Sequence, residues 1–300
     1  MTLDRMFRWI CLVCAVAAPV LLISILAGLT FNSLGTWQRF GLSFLYSPQW
    51  NPVEGKFGAA AAIVGTLATT SIAVIIAVPC GFVTAFYLSE LPRWPARILS
   101  GGLDLLAAIP SVIYGMWGLF VLVPIMNTYV EPFLVKKLGL GNLPLIGNEF
   151  NGFGYFTAGL VLALMILPFI SAMMRDVFRM IPSLLKEAAI GIGCTRWEAA
   201  RDVMLRYGLR GLFGAVFIGL GRALGETMAV LFVIGNVMNI PSGVFGNGTT
   251  IAATLANNFA EADGPMKSAL FALALILMIM SVCAQCCAQD YLKRANAMRG

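Results

Sequence analysis

The chain has 300 residues, of which 59% are hydrophobic and 11% are charged, and its formal net charge at pH 7 is +6. Soluble globular domains contain about 25% charged residues, so the composition excludes an ordinary soluble domain and indicates a protein embedded in lipid. The basic residues are scattered in short segments between apolar runs and form no continuous basic face, which argues against nucleic acid as a partner.

Six apolar runs follow one another along the chain. The first, residues 9–29, comes after Arg5 and Arg8, a pattern that cleaved signal peptides also show. It is longer than the apolar region of a signal peptide, about 7 to 15 residues, so we interpret it as a spanning helix. The later runs lie at 59–88, 103–126, 155–174, 211–235 and 268–289. The pattern predicts an all-α membrane protein with six transmembrane helices in a single domain, residues 1–300.

The basic residues between the runs predict the orientation of these helices, because positively charged loops are retained in the cytoplasm. One side of the predicted topology carries 14 of the 20 Lys and Arg residues, the other carries five, and Arg222 lies inside a run. Both termini are therefore predicted to be cytoplasmic. The basic residues of the richer side are Arg5, Arg8, Arg93, Arg97, Arg175, Arg179, Lys186, Arg196, Arg201, Arg206, Arg210, Lys293, Arg294 and Arg299.

Cysteine and histidine content bears on metal and redox chemistry. Histidine is absent, which excludes histidine ligands and histidine-dependent catalysis. Two C-x-x-C pairs, Cys11 with Cys14 and Cys283 with Cys286, lie in apolar runs. We interpret them as packing residues, the alternative being a shared thiolate site. No cofactor, metal or catalytic residue is expected.

A polar patch of Thr66, Thr69, Thr70 and Ser71 lies within the second run. Thr66 and Thr70 are candidates to line a wet path between helices. The alternative, which we favour, is that the hydroxyls bond to the backbone of their own helix.

The longest inner connection, residues 175–210, has mixed charges and scattered apolar residues that predict two short amphipathic helices. The first begins after Pro182 and ends near Gly191. Thr195 and Glu198 have the spacing of a capping box at the start of the second. From the residues alone, this loop is either a docking element for a partner or a connector that lies on anionic lipid headgroups.

The fifth run contains two charged residues, Arg222 and Glu226. Arg222 lies 11 residues beyond Gly211, about 16 Å along a helix and near the bilayer midplane. One interpretation is a self-neutralising pair at i, i+4 that fixes helix packing, helped by Gly221 and Gly225. The other is an anion path in which Arg222 binds a tetrahedral oxyanion and Glu226 holds the guanidinium and limits the affinity.

Glu187-Ala188-Ala189 followed by Gly193 resembles the EAA loop of binding-protein-dependent ABC importer permeases. The resemblance implies that Glu187, Ala188, Ala189 and Gly193 couple the permease to a cytoplasmic ATPase. The family pattern ends in Leu-Pro, whereas this chain has Leu205-Arg206, so the bend is expected elsewhere, at Gly208.

Several segments resemble phosphate importer permeases of the PstC type, a family with the type I ABC importer architecture. They are Gly219 to Val230, Trp50-Asn51-Pro52, Gly65-Thr66-Leu67, Tyr87 to Leu91, Ile109 to Gly115 and Thr250-Ile251-Ala252. The resemblance implies a non-enzymatic subunit of the bacterial cytoplasmic membrane, with Arg222 and Glu226 needed for phosphate passage. Its implied partners are a second permease of the PstA type, two cytoplasmic ATPase subunits and an extracytoplasmic phosphate-binding protein. A secondary anion transporter or a channel is the alternative.

Overall fold

The structure is a computed structural model that describes residues 2–137 and 151–297. Within this part of the chain, six helices are long and apolar enough to cross a membrane, and we call them the first to sixth spans: Asp4–Phe40, Ala60–Glu90, Ser111–Val135, Tyr155–Arg179, Ala199–Leu224 and Gly264–Asp290. The predicted six-span all-α fold is confirmed. The first and last spans belong to the longer helices Thr2–Phe40 and Gly264–Ala297.

Short helices fill the connections between the spans. They are Ser43–Tyr46, Arg93–Ala108, Ser183–Gly191, Arg196–Glu198, Met228–Leu231 and Ile251–Asn258. Two spans contain π-helical turns: the third is built from Ser111–Trp117, Gly118–Leu122, Val123–Ile125, Met126–Val130 and Phe133–Lys137, and the fifth from Ala199–Met204 and Leu205–Leu224.

The third span begins later than its hydropathy predicts. Residues 103–108 belong to the preceding helix, Arg93–Ala108, and Ile109 and Pro110 are extended before the span starts at Ser111. Proline lacks an amide donor and disfavours a helical conformation in the residue before it, so the chain leaves the helix here. The predicted bounds of 103–126 are wrong at both ends, because the span reaches Val135.

The second and fourth spans make the most extensive helix contact and supply most of the main core. Small side chains allow two helices in a bilayer to approach closely. At Gly159 of the fourth span, an added Cβ would lie 2.5 Å from Ile72 Cγ2. The buried face of the second span is mostly small: Ala61, Ala62, Gly65, Thr66, Thr69, Thr70, Ala73, Ala77, Gly81 and Ala85.

The first span packs on the sixth near its own C-terminal end, where the Ser268 Oγ accepts from the Thr36 amide at 3.1 Å. Trp37, Phe44 and Leu270 belong to a second, smaller core at this place. Residues 4–26 of the first span are exposed along their whole length. This stretch therefore presents its apolar side chains to lipid or to another subunit.

The two ends of the helix bundle differ in charge. Lys186 forms an ion pair with Glu90, and Arg175 Nη1 lies 3.6 Å from Asp104 Oδ1. These contacts bring the ends of the second and fourth spans together with the helix Arg93–Ala108 and the loop after Arg179, a place that we call the basic end. Arg299, one of the basic residues predicted on this side, lies outside the described residues.

Candidate functional site

The fifth span ends inside the bundle. Leu224 is its last helical residue, Gly225 to Thr227 leave the helix, and the short helix Met228–Leu231 follows. The short helix packs against the third span at Gly115, where an added Cβ would lie 2.8 Å from the Met228 carbonyl oxygen. The prediction of a continuous span over residues 211–235 is therefore wrong, since the helix runs from Ala199 to Leu224.

Arg222 lies in the last turn of the fifth span with an exposed side chain. Its guanidinium carbon is 5.1 Å from the centre of the Phe169 ring, within the range of a cation–π interaction. Phe169 is the fifteenth residue of the fourth span, which covers 155–179. Arg222 consequently lies level with the middle of a neighbouring span, although it is close to the end of its own helix.

Glu226 does not pair with Arg222. Among the ion pairs of the described residues none joins these two side chains, and the Glu226 Oε1 instead accepts from the Ala229 amide at 3.3 Å. The predicted i, i+4 pair is wrong because that geometry needs a continuous helix, and this one ends two residues before Glu226. The carboxylate serves the start of the short helix, where free backbone donors favour an anion.

Close helix approach occurs at a different glycine from the two predicted ones. At Gly221 an added Cβ would meet only Gln285 Nε2, at 3.4 Å, and at Gly225 it would meet only the backbone of its own helix. At Gly219 it would lie 2.5 Å from Ile170 Cγ1. Gly219 therefore brings the fifth span against the fourth, and this contact places Arg222 beside Phe169.

Tyr114, at the start of the third span, is the other polar neighbour of this region. Its hydroxyl donates to the Leu106 carbonyl at 2.9 Å, and the field of the Arg222 charge reaches it. Neither Phe169 nor Tyr114 was a candidate from sequence. A single aromatic residue inside an apolar run carries no signal of the charge that it will contact.

The two threonines predicted as path-lining candidates have different surroundings. The Thr66 hydroxyl donates to the Ala62 carbonyl at 2.8 Å and accepts from the Ile251 amide at 3.0 Å, so it joins the second span to the helix Ile251–Asn258. Thr70 lines a cavity of about 510 Å³ between the second, fifth and sixth spans, which Leu224 also lines. The Thr70 Oγ1 is buried without a hydrogen-bond partner.

The four predicted coupling residues lie in the loop at the basic end. Glu187, Ala188 and Gly193 are exposed, whereas Ala189 is buried against the rest of the loop. Gly193 has a φ of 97°, the left-handed conformation that ends many helices. Large apolar side chains are also exposed nearby, with Ile192 84% and Leu184 72% accessible. The loop thus exposes charged and apolar groups together on the surface of the chain.

The predicted capping box is present. The Glu198 Oε2 accepts from the Thr195 amide at 2.8 Å, and the Glu198 amide donates to the Thr195 Oγ1 at 3.3 Å. The bonds from the Thr195 amide and hydroxyl lower the pKa of the Glu198 carboxyl below its usual value. The helix that follows is not separate from the fifth span, however, and it continues through Gly208 without interruption. The predicted bend at Gly208 does not occur as a break in the helix.

The cysteines provide no ligand cluster in the part of the chain that the structure describes. Cys11, Cys14, Cys283 and Cys286 are free and exposed. No group of three or more acidic or cysteine side chains with the geometry of a metal site is present among the described residues. Because they are exposed, these cysteines do not pack within the described part of this chain, and a packing role for the pairs stays a prediction.

Two buried charged residues were missed from sequence. Glu131 is fully buried in the third span, where its Oε2 accepts from the Gly152 amide at 2.9 Å. Arg175, in the last two turns of the fourth span, is 6% exposed. Both were counted as loop residues because the predicted spans ended at 126 and 174. Hydropathy alone does not show whether a charged residue at the boundary of a span is buried, because the predicted boundary is uncertain by a few residues.

Comparison with known families decides the class of the chain. A model of the family described as binding-protein-dependent transport system inner membrane component matches residues 77–295. The chain belongs to this family. The match includes the loop at the basic end and the broken fifth span, so the two features described above lie within the family region.

Relatives of this transport family cover nearly the whole chain. The phosphate transport system permease protein PstC of Pasteurella multocida is 47% identical over 93% of this chain and 88% of its own length. The PstC of Xylella fastidiosa strain 9a5c is 44% identical over 99% of this chain and 93% of its own length. The resemblance predicted from the residues is confirmed.

Solved permeases share the architecture. A bacterial alginate ABC transporter in complex with an alginate-bound periplasmic protein covers 97% of this chain and 95% of its own, with a TM-score of 0.65 and 15% identity. The inward-facing MetNI methionine ABC transporter covers 82% of this chain and 99% of its own, with a TM-score of 0.57 and 17% identity. At these identities the likeness concerns the fold, and it confirms the predicted ABC importer permease architecture.

Proposed function

We propose that this protein is the permease subunit of an ATP-driven importer of inorganic phosphate, with residues 1–300 as one transmembrane domain. One observation carries the proposal: among the described residues Arg222 has no carboxylate partner, and it lies level with the middle of the fourth span and beside the break in the fifth. A central Arg costs about 2.5 to 3.5 kcal/mol on insertion scales, so it needs a compensating role. Relatives named as phosphate transport permeases support phosphate as the cargo.

Arg222 is suited to a transient anion site. The guanidinium is permanently charged and offers a planar fork of donors to an oxyanion. Phe169 holds it by a face contact that leaves the edge donors available. Glu226 accepts a hydrogen bond at the start of the short helix Met228–Leu231, which follows the break in the fifth span. It thereby helps to position the site. A translocation site must release its cargo, which favours a single arginine over a cluster.

The exposed loop at the basic end is proposed as the ATPase docking site. The chain has no G-x-x-x-x-G-K-[ST] phosphate loop, so its energy comes from a partner. Glu187, Ala188 and Gly193 lie on the accessible surface of the loop, and Ala189 packs beneath them. The proposed assembly contains a second permease of the PstA type, two cytoplasmic ATPase subunits and an extracytoplasmic phosphate-binding protein.

The basic end is proposed to face the cytoplasm of a bacterial cell. Its excess of Lys and Arg is the charge pattern of retained loops. This orientation puts both termini and the coupling loop in the cytoplasm. The segment between Phe232 and Thr250, at the opposite end, then faces the binding protein.

Phosphate uptake by the complex reconstituted in vesicles tests the function. Arg222→Gln keeps a polar side chain, although a shorter one, and removes the charge. We expect at least a hundredfold lower uptake with unchanged ATPase co-purification, whereas Arg201→Gln, which removes a surface charge at the basic end, should transport normally. Parental uptake by Arg222→Gln would leave Arg222 with a packing role only.

A secondary anion transporter or a channel is the alternative function. Uptake driven by a membrane potential in the absence of ATP separates the two. The importer predicts no uptake above that of protein-free vesicles until ATP and the binding protein are supplied. Sustained uptake without ATP would overturn the importer proposal.

A further inference from the structure

A polar cavity of about 580 Å³ lies at the basic end, away from the Arg222 site. It is enclosed by the end of the second span, the helix Arg93–Ala108 and the end of the fourth span. Arg175, one of its lining residues, is six residues beyond Phe169, about 9 Å further along the fourth span. The polar groups that line it are Ser89, Arg97, Ser100, Asp104, Arg175 and Arg179.

The charge of the cavity is positive. Three guanidinium groups line it, against the single lining carboxylate of Asp104. Arg97 and Arg179 are exposed, and neither forms an ion pair with a carboxylate among the described residues. Asp104 has a side chain that is 56% exposed, so solvent screens much of its charge.

Two buried donors in this cavity have no hydrogen-bond acceptor among the described residues. They are the Arg175 Nη1 and the Ser100 Oγ, and each residue is only 6% exposed. The Arg175 Nε bonds to Asp176 Oδ1 at 3.2 Å, but Nη1 is 3.6 Å from Asp104 Oδ1, too far for a hydrogen bond. A buried donor without an acceptor is unfavourable because it has lost its hydrogen bonds to water, and more so when the donor is charged.

We infer that this cavity binds a phosphate group, either inorganic phosphate or the headgroup phosphate of an anionic lipid. The serine hydroxyl and the arginine guanidinium groups donate hydrogen bonds from different sides of the cavity. A tetrahedral oxyanion can accept from all of these directions at once. Bound phosphate would satisfy Arg175 and Ser100 together. It would also join the helix Arg93–Ala108, through Arg97 and Ser100, to the fourth span, through Arg175 and Arg179.

Binding is tested on the membrane complex of permease and ATPase subunits, without the extracytoplasmic binding protein, stripped of lipid in neutral detergent and with Arg222→Gln present throughout. This background removes the proposed translocation site, so the result does not depend on the proposed function. One arm titrates inorganic phosphate, and the other titrates short-chain phosphatidylglycerol with phosphatidylcholine as the comparison. Isothermal calorimetry and the rise in melting temperature report the binding.

The exposed arginines provide the test variants, because Arg175→Gln risks misfolding. Arg97→Gln and Arg179→Gln should each weaken binding roughly tenfold, as expected when one charge-assisted hydrogen bond of at least about 1.4 kcal/mol is lost. Arg201→Gln, with a side chain 64% exposed outside the cavity, is the matched control and should bind like the parent.

The two arms distinguish the sources of the phosphate group. Saturable binding of phosphatidylglycerol but not of phosphate identifies a lipid site, and binding of phosphate alone identifies an ion site. Either result supports the inference only if Arg97→Gln and Arg179→Gln also weaken the binding that is measured. No binding in either arm, or equal binding by the variants and the parent, overturns it.

Discussion

At the scale of single residues, the structure separates the roles of charges that the sequence treats alike. Arg222 contacts an aromatic ring, Glu226 holds the amide of a short helix, and Glu131 is fully buried with one oxygen bonded to Gly152. Insertion cost makes Arg222 and Glu226 conspicuous within the fifth apolar run, whereas Glu131 lies beyond the predicted end of the third run. Their neighbours decide what each one does, and those neighbours are distant in sequence or follow a break in the helix.

Substitution of Glu131 tests its role as an acceptor for the Gly152 amide. Glu131→Leu leaves a buried amide without an acceptor, so we expect a loss of about 1 to 3 kcal/mol in the free energy of unfolding. Glu131→Gln keeps an acceptor oxygen and removes a buried charge, so its thermal unfolding should match or exceed that of the parent. Equal losses in both variants would show that the negative charge itself is required.

The capping box predicts a local pH dependence. Because the folded protein lowers the pKa of Glu198, the ionised carboxylate stabilises the turn at pH values above the ordinary glutamate pKa of about 4.3. This contribution is lost as pH falls through the lowered pKa. The protection of the Thr195 amide against hydrogen exchange, relative to the intrinsic rate at each pH, should fall over that acidic range.

Two variants check the assignment of this pH dependence. Glu198→Gln keeps the acceptor oxygen without an ionisable group, so the loss of protection at acidic pH should disappear. Thr195→Ala removes the hydroxyl donor and should return the pKa of Glu198 toward its ordinary value, measurable by NMR titration of the side chain. An unchanged exchange profile in Glu198→Gln would assign the pH effect to another group.

At the scale of helices, hydropathy located all six spans but placed the ends of the first, third and fifth poorly. The fifth run continues through Met228, Val230 and Phe232, so its hydropathy gives no sign that the helix ends at Leu224. Pro110 signalled an interruption of the third run, but not that the residues before it form a separate helix. Hydropathy measures the transfer of side chains into an apolar environment. Irregular backbone that is packed inside a bundle can carry side chains as apolar as those of a spanning helix, so hydropathy does not distinguish the two.

The contact between the second span and the loop before Ile251 tests the packing of small residues. An added Cβ at Gly65 would lie 1.8 Å from the Thr249 carbonyl oxygen, so Gly65→Ala must displace backbone. We expect at least about 1 to 3 kcal/mol of destabilisation, measured by thermal unfolding in detergent. Gly214→Ala, with no neighbour within 4 Å, is the matched control and should be neutral or stabilising. Similar melting temperatures for both variants would contradict this packing.

At the scale of the whole molecule, the fold, the family and the broad class of function were predictable from the sequence. The composition indicated a membrane protein. Short motifs such as Glu187-Ala188-Ala189 indicated the family, because residues that are contiguous in the chain can be recognised without knowledge of the fold. The site was only partly predictable. Arg222 stands out by its charge in an apolar run, whereas its contact with Phe169 and the cavity beside Arg175 depend on the packing of helices far apart in sequence.

Charge reversal in the coupling loop tests the docking of the ATPase. Glu187→Lys places a cation on the exposed surface of the loop, so we expect several-fold less ATPase to co-purify with the permease. Glu54→Lys makes the same charge change in the loop at the opposite end and serves as the control. Full ATPase recovery with Glu187→Lys would remove Glu187 from the docking surface.

The end of the fifth span at Leu224 has an electrostatic consequence for Arg222. The last turn of an α-helix carries roughly half a negative elementary charge on its terminal carbonyls. Arg222 lies in that turn, so backbone dipoles in place of a carboxylate partly offset its charge. An anion that reaches the guanidinium therefore meets a reduced positive potential. In the proposed site, the end of the helix would therefore moderate the affinity for the anion and favour its release, and this effect would need no second ionisable group that makes release depend on pH.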